Sequence, residues 1–178
     1  MKLSFTMIIL CLVVSSTTSQ AQFVKGFFGI GPELGFGNGG SGNPFLVGLE
    51  GEYAVSKKNE MGPGILGAGL SVDYFSEAPT AATKNTYIPI TPFASYHLGI
   101  MMDDPRLDPY FKLGLTYKVQ TASVTIDNET ISSTNGKFTL GFMAGVQYFI
   151  ERNLSVQVQL SAGGAGTQFL TVGAKFGI

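Results

Sequence analysis

Few residues of this chain have the types and spacing that chemistry needs. Its only histidine is His97, and Ser95 lies two positions earlier, on the same side of any extended strand. A base and a hydroxyl on one face are the minimum for nucleophilic catalysis. A working base must also reach the proton it takes and be oriented by a third group, and no spacing around His97 supplies one. A structural histidine is the simpler reading, and no catalytic residue is expected. Cys11 is the only cysteine and sits in an apolar run near the N-terminus, so the chain beyond it has no thiol for a disulfide, a metal or a nucleophile. Gly26, Gly29 and Gly31 stand near a strand start with no helical pattern behind them, which argues against a phosphate-cradling loop. No cofactor or metal is expected. The net charge of −1, with no basic run, gives no reason to expect nucleic acid. What remains is a set of scattered charges, Glu33, Glu50, Glu52 and Asp73 against Lys112, Lys118 and Lys175. Their meaning depends on the elements that carry them.

Composition narrows those elements. Charged residues make up 13% of the chain, about half the usual share, and its 24 glycines are about twice the usual number. Residues 1–21 have the layout of a secretory signal peptide: Lys2, the apolar run FTMIILCLVV, a polar stretch, and Ser19-Gln20-Ala21 as a small-residue cleavage pattern. Ten apolar residues are too few for a membrane helix, which needs about 20. Cleavage is expected after Ala21, leaving residues 22–178 as one domain. Downstream, segments of about ten residues alternate apolar with small or polar positions, as membrane-barrel strands do. Eight such segments are expected, over 27–36, 45–55, 64–75, 87–98, 109–119, 137–150, 154–163 and 168–178.

LSVQVQLSA shows the pattern most clearly: Leu154, Val156, Val158, Leu160 and Ala162 share one face, and Ser155, Gln157, Gln159 and Ser161 the other. Across all eight segments no charge falls on the apolar face; the opposite face collects the acids and lysines named above together with His97 and Lys137. A soluble sandwich or lipocalin also alternates. The aromatics favour a membrane. On the apolar parity, Phe36, Phe45, Tyr74, Tyr117 and Phe138 fall near one rim, and Phe28, Tyr53, Tyr96, Phe111, Tyr148 and Phe176 near the other, with a mostly aliphatic band between. Two aromatic girdles belong at two lipid interfaces. The apolar face then meets lipid, and Glu33, Glu50, Glu52, Asp73, Lys112, Lys118 and Lys175 form an ion-pair network in the lumen. The outer loops are expected at 37–44, 76–86, 120–136 and 164–167, and the periplasmic links at 56–63, 99–108 and 151–153.

At the C-terminus, Thr171, Gly173, Phe176 and Ile178 resemble the polar-x-Gly-x-x-apolar-x-apolar signal by which barrel assembly machinery recognises a final strand; the commoner form ends on an aromatic residue where Ile178 stands. With the signal peptide and eight segments, the chain resembles the small outer-membrane barrels of the OmpX, OmpW and OmpA type. The Tyr87-Ile-Pro-Ile and Pro109-Tyr-Phe-Lys-Leu-Gly-Leu-Thr-Tyr segments resemble the porin-family barrels common in Bacteroidota. The resemblance implies an all-β, eight-stranded antiparallel up-and-down transmembrane β-barrel in the outer membrane, a monomer among outer-membrane lipids. Lipid A deacylases and palmitoyltransferases resemble this architecture too, but His97 lacks the His-x-Ser spacing of the deacylases and falls toward the periplasmic end. The expected role is structural or surface-interacting, with the 120–136 loop as the contact for a surface partner. The alternatives are a narrow channel for small or apolar solutes and a soluble periplasmic carrier of lipocalin type.

Overall fold

The computed structural model describes residues 23–38, 43–126, 129–163 and 168–178. The expected signal peptide lies outside these residues. Eight strands follow in order: β1 (Phe28–Asn38), β2 (Phe45–Ala54), β3 (Ile65–Thr80), β4 (Thr83–His97), β5 (Leu107–Ile126), β6 (Glu129–Glu151), β7 (Leu154–Ala162) and β8 (Gln168–Gly177). Each pairs antiparallel with the next, and β8 returns to β1 from Gly29↔Gly177 to Asn38↔Gln168, closing the barrel. All eight expected strands are present in up-and-down order.

The two faces are sorted as a bilayer requires. Val146, Val158, Val172, Leu34 and Val47 are successive register partners around the ring, and all five point outward and are exposed. Leu49, Leu70, Leu113, Leu115, Leu140 and Phe142 extend this apolar band. The opposite parity is buried, and among the most completely enclosed side chains are Lys112, Lys175, Glu50, Glu52 and His97. A soluble barrel would bury the leucines and wet the lysines. This one does the reverse, as transmembrane barrels do.

Two of the expected loops are strand. β3 and β4 pair as far as Thr80↔Thr83, so most of 76–86 belongs to the ladder. The expected loop 120–136 is almost wholly a hairpin: β5 and β6 remain in register from Lys118↔Lys137 to Ile126↔Glu129. The run is polar, which suggested a loop, but its threonines, Val124 and Ile131 are strand formers. Its hydroxyls also pair across the strands, Thr121 with Thr134 at 3.1 Å, Ser123 with Ser132 at 2.9 Å and Thr125 with Thr130 at 3.1 Å. Together the ends of β3, β4, β5 and β6 form a sheet that stands beyond the rim. β7 joins β6 only at Phe142, so among the described residues 129–141 have no ladder partner on that side.

Candidate functional site

The lumen is organised along β2, whose inward residues Ala54, Glu52, Glu50, Gly48 and Leu46 cross every layer of it. At the periplasmic end, Phe23 packs with Ala54, Ile65 and Phe149, with Phe27 against them. The segment before β1 is held across the mouth by Gly26 N–H donating to the Ala54 carbonyl at 3.1 Å and Ala54 N–H donating to the Phe27 carbonyl at 2.9 Å. Phe23 thereby lies flat on His97, ring centroids 3.7 Å apart.

The charged layers follow. Lys112 Nζ donates to Glu50 Oε1 at 2.6 Å, and Lys175 Nζ lies 2.7 Å from the same oxygen. Lys175 also donates to Glu52 Oε2. Tyr110 lines this layer, its ring 4.6 Å from Lys112 Nζ, with its hydroxyl 3.3 Å from Gln157 Oε1 and from Gln159 Oε1. Such charges survive burial because each has partners; one left alone would be costly. Further out, Glu33 and Asp73 face each other across Gly48, and the Thr91 and Thr116 hydroxyls bond at 2.9 Å. Leu46, Phe75, Tyr87 and Phe169 close the outer end.

His97 belongs to this network. Its Nδ1 lies 2.6 Å from Asp108 Oδ2 and its Nε2 2.9 Å from Glu52 Oε1, and Asp108 also accepts the Gly99 N–H at 2.8 Å. Both ring nitrogens face carboxylates, so neither is placed to take a proton from Ser95, whose buried Oγ has no hydrogen-bond partner. Asp108, the last residue of the expected 99–108 link, points inward as the orienting carboxylate of a structural histidine. In the periplasmic turn nearby, Arg106 Nε and Nη2 each donate to Asp104 at 3.1 Å. Those bonds hold the Asp104 carboxyl below its ordinary range.

Of the seven expected network residues, Glu50, Glu52, Lys112 and Lys175 come together in one cluster, Glu33 and Asp73 form a neighbouring pair, and Lys118 sits apart with its Nζ 5.1 Å from the Tyr87 ring. The interface aromatics occupy both rims: Phe36 meets Phe45, Tyr117 meets Phe138, and Tyr96 meets Phe111, at centroid distances of 5.4, 4.8 and 5.5 Å. Phe28 pairs with Tyr53, Leu154 with Phe176, and Tyr74 is exposed between its strand neighbours. Tyr148 carries the Arg106 guanidinium 5.2 Å above its ring. In the terminal strand, Thr171 points inward, Gly173 sits level with Gln157, Phe176 faces out, and Ile178 N–H donates to the Phe28 carbonyl at 2.8 Å. Sequence reasoning missed the inward aromatics Phe75, Tyr87, Phe93, Tyr110, Phe149 and Phe169, although all have the parity of the lumen charges.

Closed antiparallel strands, an apolar belt between aromatic rims and a buried ionic core define a small transmembrane β-barrel. The chain belongs to the outer membrane protein beta-barrel domain family, whose model matches residues 7–169, and it is an outer-membrane protein. Three solved barrels have the same fold. The attachment invasion locus protein Ail of Yersinia pestis is 14% identical, with 87% of this chain and 100% of that chain covered and a TM-score of 0.54. Neisserial surface protein A is 18% identical over 84% of this chain and 95% of its own, with a TM-score of 0.54. The N-terminal barrel domain of Pseudomonas aeruginosa OprF is 16% identical over 86% and 98%, with a TM-score of 0.53. No curated protein matches the chain.

Proposed function

We propose that this barrel is a scaffold that holds an adhesive sheet above the outer membrane and carries out no catalysis. The observation that carries the reading is the projecting end of β3 to β6, where among the described residues 129–141 of β6 have no ladder partner on one side. Unpaired N–H and C=O groups along a strand edge are a template for adding a strand from another chain. The remaining features point the same way. His97 has both nitrogens committed to carboxylates, which leaves no free base for an enzyme. Aromatic side chains close both ends of the lumen, which speaks against a channel. Attachment is also in the name of Ail, a barrel of the same fold. The C-terminal strand, with Thr171, Gly173, Phe176 and Ile178, serves as the contact for the assembly machinery, and the folded protein acts as a monomer.

Thr121 and Thr134 are register partners, so residues 122–133 can be replaced by an Asn-Gly turn that closes the hairpin there. The shortened protein is expected to reach the outer membrane and keep its heat-dependent gel mobility, while cells carrying it lose adhesion to protein-coated surfaces. Undiminished adhesion by correctly folded shortened protein would overturn the reading.

A further inference from the structure

In the middle of the lumen the charges pair off. Glu50 and Glu52 meet Lys112 and Lys175, and His97 lies between Glu52 and Asp108, so a doubly protonated imidazole makes this three against three. Glu33 and Asp73 are left over. Among the described residues no basic nitrogen comes within 4.0 Å of either, although Glu33 is only 4% exposed. Glu33 Oε2 and Asp73 Oδ1 are buried with no hydrogen-bond partner among the described residues. Ser71 hydroxyl donates to the other Asp73 oxygen at 3.3 Å. The meeting of two acids is built into the register: Glu33, Gly48 and Asp73 stand level on three adjacent strands. A Cβ at Gly48 would come within 3.0 Å of Glu33 Cγ and overlap Asp73 Oδ1, so glycine there is what lets the carboxyls converge. They line a cavity of about 50 Å³ whose other polar side chains include Ser71, Thr91, Thr116 and Gln159, with Leu46, Met143 and Phe169 closing the rest of its wall.

We propose that this cavity is a binding site for a small hard cation, with calcium the best match. Two carboxylates neutralise a divalent charge, and calcium accepts neutral oxygens in flexible geometry, where magnesium demands a near-ideal octahedron. A proton shared between the carboxyls would also satisfy them, but it needs neither the adjoining space nor its hydroxyl lining. Two acidic ligands make this a site of modest affinity, suited to the calcium-rich exterior of a cell. A bound ion would stabilise the outer half of the barrel, since its ligands come from β1, β3, β4, β5 and β7.

The test uses mature protein folded in detergent free of lipopolysaccharide, stripped with chelator and then refolded at rising calcium chloride. The urea midpoint is expected to rise and saturate with calcium, to respond weakly to magnesium, and to be calcium-independent in E33Q/D73N. Equilibrium dialysis with radiolabelled calcium should find one saturable ion in the wild type that the double variant lacks. If that variant fails to fold, E33Q and D73N singly should each shift the response to higher calcium. Wild-type protein that binds no saturable calcium and unfolds at one midpoint with and without it would overturn the proposal and leave the pair to a shared proton.

Discussion

Replacing Lys175 by Met tests whether the lumen is held by charge pairing or only by volume. Lys175 is 1% exposed, and its ammonium lies 2.7 Å from Glu50 Oε1 while also holding Glu52 Oε2. At an effective dielectric of about 20, attraction across 2.7 Å is about 6 kcal/mol before the cost of removing both ions from water. Methionine keeps most of the volume, so the change isolates the charge. It leaves Glu50 and Glu52 to share Lys112, whose Nζ is 3.9 Å from Glu52 Oε2, too far for a full hydrogen bond. An uncompensated buried charge costs about 3–5 kcal/mol, and that is the loss expected for K175M. Adding E52Q restores neutrality while keeping an acceptor for His97, so K175M/E52Q should recover to within about 1 kcal/mol of wild type. Urea unfolding of the detergent-folded barrel, followed by circular dichroism and unheated gel mobility, measures both. If K175M costs less than about 1 kcal/mol, or if E52Q adds a further loss on top of it, charge balance is not what holds the lumen.

Val158→Arg should destabilise the inserted barrel by about 2–4 kcal/mol, because Val158 lies in the aliphatic band beside Val146 and Val172. Ile131→Arg, also at an exposed position but on the projecting sheet, should change stability by less than about 0.5 kcal/mol in the same unfolding assay. Gly48→Ala should cost about 1–3 kcal/mol by driving Glu33 and Asp73 apart, and a neutral result in urea would show that the pair has room to spare. Phe23→Ala should cost about 3 kcal/mol and open the periplasmic mouth. The opening would be read as faster modification of His97 by diethylpyrocarbonate, and an unchanged rate would mean that Phe23 does not guard the ring.

How legible each part was follows from what its two faces touch. β7 could be found from LSVQVQLSA because one face meets lipid and the other a polar interior, so parity separates them cleanly. Beyond the rim both faces of β5 and β6 meet water, the apolar half of the pattern disappears, and Gln120 to Gly136 reads as a polar loop. The ladder there rests on β-branched residues and on cross-strand hydroxyl pairs, which only the register reveals. The inward aromatics were obscured for a different reason. Phe75, Tyr87 and Phe169 share parity with the charges because a short lumen needs apolar stoppers at its ends as well as ions in its middle. His97 and Asp108 were each visible, but their bond crosses a turn and depends on β4 and β5 being paired so that His97 sits opposite Tyr110.

The same dependence on register ties the ionic core to closure of the barrel. Glu50 and Glu52 are on β2 and Lys112 is on β5, but Lys175 arrives only with β8, the last strand. Until β8 pairs with β1, the two glutamates have one lysine between them, and that lysine bonds well to Glu50 alone. Closing the seam therefore adds more than a ladder of backbone bonds. It supplies the cation that neutralises the core, 123 residues away in sequence from the carboxylate it reaches. A barrel with its seam open would hold an unbalanced carboxylate in an increasingly dry interior, so partially closed states are disfavoured relative to both ends of the reaction. The pairing of Glu50 and Glu52 with Lys112 and Lys175 needs no substrate to account for it: its arrangement makes closure cooperative.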